Sequence, residues 1–90
     1  MTYKSKDGDI NLSKITRLYP AAVIDMQGEV AEMSLEWIED NENKVKLLHF
    51  VLVFDFTLRD AKERDRKILV FKTKDELFEC MREVSQFFDD

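Results

Sequence analysis

The chain has one histidine, His49, and one cysteine, Cys80, and these are its first candidates for catalysis. A catalytic histidine needs a carboxylate to orient it. The carboxylate on its own segment, Asp55, lies six residues further along an apolar run. At strand rise the two share a face roughly 20 Å apart, which excludes a dyad between them. A carboxylate from a neighbouring strand remains open. A reactive thiol wants a helix N-terminus or a basic neighbour. Cys80 sits between Glu79 and Met81 in a helical pattern, so it reads as a small buried hydrophobe.

The other site chemistries are also poorly served. One histidine and one cysteine fall short of a zinc complement. Asp7-Gly8-Asp9 opens like a calcium loop, but the twelfth position counted from Asp7 is Leu18 rather than glutamate. Two isolated glycines make no phosphate-binding loop. Pairs such as Glu32 and Glu36 read as solubilising carboxylates on a wet face. The expectation is a chain without catalytic residues, metal or cofactor.

The elements that would position any site are clearer. Arg66 to Lys72 (RKILVFK) reads as a strand. It runs into Thr73-Lys74-Asp75-Glu76, a capping box in which the threonine hydroxyl accepts from the N–H three residues on. Leu77, Met81, Val84 and Phe88 then recur at helical spacing, widened by Phe78 and Phe87. Val45 to Leu58 is the longest apolar segment. Its even positions from Leu48 to Leu58 are all apolar, while its odd positions mix valines with His49, Asp55 and Thr57. That is a strand with one core face and one face partly covered and partly wet. Val30 to Ile38 alternates like a half-buried strand, with Ala31, Met33, Leu35 and Trp37 on one side. Gln27-Gly28 between it and Ala21–Met26 predicts a tight hairpin. Asp7-Gly8-Asp9 and Asp40 to Asn43 are turns. Ile10 to Tyr19 fits either a strand or a helical turn, and Pro20 is expected to stop whatever precedes it.

Short turns imply antiparallel neighbours. The fold expected is α+β: one domain holding a twisted antiparallel sheet of about five strands, a meander or partly closed barrel, with a C-terminal amphipathic helix. At 90 residues the chain is long enough to bury a core without staples. The lone cysteine and the absence of an apolar leader or long apolar run suggest a cytoplasmic protein with no membrane span.

Antiparallel strands followed by FKTKDELFECMREV resemble a small pleckstrin-homology-like domain. INLSKITRLYP is similar to the strand, Leu-Ser-x-Ile, strand opening of bacterial pleckstrin-homology and GRAM-type modules. The resemblance implies a sheet closed off by a C-terminal helix. Phosphoinositide-binding members of that family carry a basic loop between their first strands. The corresponding turns here are acidic, so the resemblance assigns no binding residue.

Charge gives the remaining candidates. Net charge is −5, which disfavours nucleic acid as a partner. From Glu29 to Glu42 there are six acids and no base. Glu29, Glu32, Glu36 and Glu39, extended by Asp40 and Glu42, could form an acidic docking face. Lys62, Arg64, Arg66 and Lys67 could form an anion contact, for a lipid or nucleic acid, if they converge. Trp37 and Phe87 are candidate apolar anchors. The function expected is a non-catalytic protein-interaction module working through a sheet edge or the acidic face, with homodimerisation through an edge as one form. The alternative is an acidic, immunity-like inhibitor that covers the basic site of a nuclease or other nucleic-acid-binding partner.

Overall fold

A computed structural model describes residues 1–88. The chain begins with a hairpin of β1 (Thr2–Ser5) and β2 (Gly8–Asn11), turned at Gly8 with φ +117°. The Asn11 side chain accepts from the Ser13 N–H and starts a 3₁₀ turn at Leu12–Lys14. Ile10 to Tyr19 therefore contains a strand end, a helical turn and a new strand. Strand β3 (Arg17–Met26) follows, then β4 (Glu29–Met33). Gln27 and Gly28 both take positive φ, 53° and 91°, as the two-residue hairpin turn requires. The Asp25 carboxylate accepts from the Gly28 N–H at 2.9 Å and fixes that turn.

Two expectations fail in this region. Pro20 does not stop the chain; it lies inside β3, opposite Leu52. The β4 ladder covers only Ala22 to Met26 of β3, so at Pro20 the strand has a neighbour on one side. That is the edge-type setting in which a strand accommodates proline. Val30 to Ile38 is not one strand either. Pairing ends at Met33, and helix α1 (Leu35–Asn41) begins, with Ser34 accepting from the Trp37 N–H. The cap satisfies a free donor of the first turn. The helix also buries Ile38, which a continued strand would have turned to water.

Strand β5 (Lys46–Asp55) and strand β6 (Arg66–Phe71) complete a four-stranded antiparallel sheet ordered β4-β3-β5-β6. Helix α2 (Lys74–Ser85) follows, with Thr73 accepting from the Glu76 N–H as the capping pattern predicts. The class is α+β with antiparallel sheets. In place of one sheet of about five strands the described residues form six strands in two sheets, and the larger sheet is open, with β4 and β6 as its edges. No helix among the described residues is long and apolar enough to cross a membrane.

The main core lies on one side of the larger sheet. Ile24, Leu52, Phe54 and Leu69 pack there against Leu77, Cys80 and Val84 of α2, Ile38 of α1, and Tyr3 and Ile10 of the hairpin. Cys80 is buried with the apolar stripe as expected. Phe78 does not widen that stripe. It is exposed, with the Lys74 ammonium 6.0 Å from its ring centre.

Candidate functional site

Strand alternation turns half of each strand's residues away from that core, and pairing aligns them in rows. Arg17, Asp55 and Arg66 form the first row across β3, β5 and β6. Tyr19, Val53 and Ile68 form the next, and Ala21, Val51 and Val70 the third. Glu32, Val23 and His49 form a fourth across β4, β3 and β5. A register shift after Val23 precedes the last row, Val30, Asp25 and Lys46.

Ala21, Val51 and Val53, with Tyr19 and Val23 against them, form a cluster separate from the main core. No helix or hairpin residue joins it among the described residues. Its central valines are shielded by the side chains around them, while Ile68 and Val70 stay 40% and 45% exposed and Val30 66%. The result is a bare sheet face with an apolar centre and charged ends.

The Arg17–Asp55–Arg66 end is ordered by its own contacts. The Arg17 guanidinium lies over the Tyr19 ring at 4.6 Å, and Arg66 Nη1 donates to the Tyr19 hydroxyl at 2.9 Å. Hydrogen bonds from Thr57 hold the Asp55 carboxyl below its ordinary range, with the charges of Arg66 and Arg17 adding to the effect.

The candidate residues read from the sequence are dispersed over this frame. Glu29 and Glu32 are exposed on β4, three positions apart and so on opposite sides of the strand. Glu36 and Glu39 are exposed on α1, and Glu39 accepts an ion pair from Lys74 at 3.4 Å. Lys62 and Arg64 lie in the loop before β6. Arg66 and Lys67 begin that strand as consecutive residues, so they point to opposite faces. Arg66 is on the bare face; Lys67 Nζ lies toward Gly8 of the hairpin. The structure does not gather these four cations onto one face. Trp37 is half-buried on α1 against the core. Phe87 packs edge-on to Tyr3 with ring centres 6.0 Å apart. His49 is half-buried on the bare face, on the same side of β5 as Asp55.

A second feature lies between the hairpin, β6 and α2. A cavity of about 290 Å³ is lined by Tyr3, Lys6, Phe71, Glu76, Cys80 and Glu83, among others. The Tyr3 hydroxyl lies 3.1 Å from Cys80 Sγ and donates to Glu83 at 2.9 Å. Burial pushes the Cys80 thiol up, and burial with these hydrogen bonds pushes the Tyr3 phenol up. Both groups are held neutral, so the cavity offers no activated nucleophile. The trio fastens the hairpin to α2. Tyr3 and Cys80 are 77 positions apart, and no local pattern signals the contact.

No family model, curated protein or solved structure matches this chain.

Proposed function

We propose that this chain is a small non-catalytic protein-interaction module whose working surface is the bare face of the four-stranded sheet. The observation that carries the reading is the exposed pair Ile68 and Val70 on β6 beside the Val51 and Val53 cluster, with charged residues at both ends. An apolar centre within a polar surround is the general build of a protein contact surface. The neutral state of Cys80 and Tyr3 supports a non-catalytic role. Antiparallel strands closed off by a capped helix support the likeness to pleckstrin-homology-like modules, here with an open sheet.

The acidic-inhibitor reading has one observation in its favour. Glu36 and Asp40 are four positions apart on α1, share a side of it and are both exposed.

Tagged bait expressed in the native host, beside Ile68→Lys/Val70→Lys and Glu36→Lys/Asp40→Lys, separates the readings. Captured proteins are compared, untagged copies of the chain included. Loss of capture with the sheet-face variant alone is the expected result. Loss with the helix variant alone would transfer the function to α1 and favour the inhibitor. Capture insensitive to the sheet-face variant would overturn the proposal.

A further inference from the structure

Resting on that reading of the bare face, we infer that its occupant is an acidic segment of a partner protein. Arg17 and Arg66 together hold a carboxylate of that segment, beside an apolar residue seated on Ile68 and Val70.

The two arginines stand on β3 and β6, with β5 between them. Tyr19 gathers them. Its ring lies beneath the Arg17 guanidinium at 4.6 Å, and its hydroxyl accepts from Arg66 Nη1 at 2.9 Å across β5. Two like charges left to themselves would move apart. Neither is neutralised by contact, because the one ion pair among the described residues is that of Lys74 with Glu39. Asp55, the acid of the same row, is engaged elsewhere: its Oδ1 accepts from the Thr57 N–H at 2.9 Å. Each guanidinium carries five N–H donors in a fork that fits a carboxylate. Arg66 spends one of its donors on Tyr19, and Arg17 is exposed. Most of both forks stays open, already oriented by the tyrosine.

The balance of charge selects the group. Two guanidiniums against the single Asp55 carboxylate leave one positive charge in the row, which one further carboxylate cancels. A phosphate group, at about −1.5 to −2, would overshoot that balance beside Asp55. The neighbouring residues select its companion. Ile68 and Val70 follow Arg66 on the same face of β6, and both are exposed. Two residues of strand span about 6.8 Å. A matching segment therefore carries its acid two positions from an apolar residue if extended, or about four if helical. Tyrosine and arginine beside such a patch are the residue types that dominate contact energies.

The test is selection of a phage-displayed library of random peptides on the wild type, followed by titration of the enriched sequences as synthetic peptides. These are expected to share an Asp or Glu at that spacing from an apolar residue. Changing the acid to its amide should weaken binding by about tenfold. Arg17→Gln and Arg66→Gln, with folding checked by circular dichroism, should each weaken the acidic peptide by a similar factor and leave the amide peptide unchanged. That coupling between acid and arginine is a readout that a general loss of structure does not imitate.

Should either variant unfold, the peptides decide: a tenfold loss on amidation supports the proposal, and an amide as tight as the acid overturns it. A library that yields no binder, enriched peptides without acids, or a phosphoserine that binds more tightly than the acid it replaces would each overturn it too. Peptides lost with Ile68→Lys/Val70→Lys but indifferent to the arginine variants would overturn the acidic-segment inference alone. Peptides indifferent to both sets of variants, with protein capture equally indifferent to Ile68→Lys/Val70→Lys, would remove the bare-face reading as well.

Discussion

The two faces of the four-stranded sheet are made from the same strands and differ in what covers them. On one face Ile24, Leu52, Phe54 and Leu69 reach 0% exposure beneath two helices and a hairpin. On the other, Val53 also reaches 0% and Val51 2%, with no helix or hairpin residue of the described chain in their cluster. Side chains that flank a valine in its own sheet can hide it from water, yet they leave their own outer surfaces exposed. The covered face holds the fold together. The bare face carries an apolar surface that the fold itself does not use.

Truncation should separate the two faces most sharply. Phe54→Ala removes a fully buried ring stacked beside Tyr3 and should cost about 3–5 kcal/mol in urea unfolding. Val70→Lys, on the bare face, should change stability by no more than about 0.5 kcal/mol while abolishing capture of the partner protein. Equal losses at the two positions would erase the distinction.

A smaller effect is expected from the cover itself. Ser34→Ala removes the cap of α1 and leaves the Trp37 N–H without that acceptor. It should cost about 1 kcal/mol, read as a lower thermal midpoint with capture of the partner protein unchanged.

The titratable groups of the two sides respond to opposite ends of the pH scale. Tyr3 and Cys80 have folded values raised above their ordinary 10.0 and 9.0. The folded state keeps protons that the unfolded state would release. Their contribution is complete below pH 9.0 and falls as pH rises past these ordinary values. The midpoint of Tyr3→Phe should accordingly fall less at alkaline pH than that of the wild type.

Asp55 on the bare face has a folded value lowered from 3.8. Its contribution is present above that pH and is lost as pH falls through the lower folded value. Asp55→Asn should flatten the acid limb slightly, which is the smallest effect in the set. Its carboxyl resonance should titrate below the ordinary range.

Legibility in the sequence followed the range of the forces involved. The Gln27-Gly28 hairpin and the Thr73 cap could be read because a positive φ or a free N–H selects local residue types. The long β5 segment was legible in its middle: Phe50, Leu52 and Phe54 form the core, and Val51, Val53 and Asp55 lie on the bare face, whereas Leu48 and Leu58 are exposed and a register shift turns Leu47 to the core side. Alternation from Ala31 to Trp37 imitated a strand because a one-turn helix entry and a strand share short spacings. The informative signal was Ser34 as a helix cap, with Ile38 out of phase. Pro20 was misread because strand pairing is set by partners: β4 stops short of it. The Tyr3–Cys80–Glu83 cluster and the rows of the bare face join residues from the beginning, middle and end of the chain. They had no local signature.

The measurement that bears most directly on the role of the bare face is methyl-resolved NMR of the wild type titrated with the protein it captures. The account predicts that the methyl signals of Ile68 and Val70 shift as that protein is added, while those of Leu52, Leu69 and Leu77 stay fixed. Shifts confined to residues of α1 or to the β4 edge, with the bare-face methyls unmoved, would contradict it.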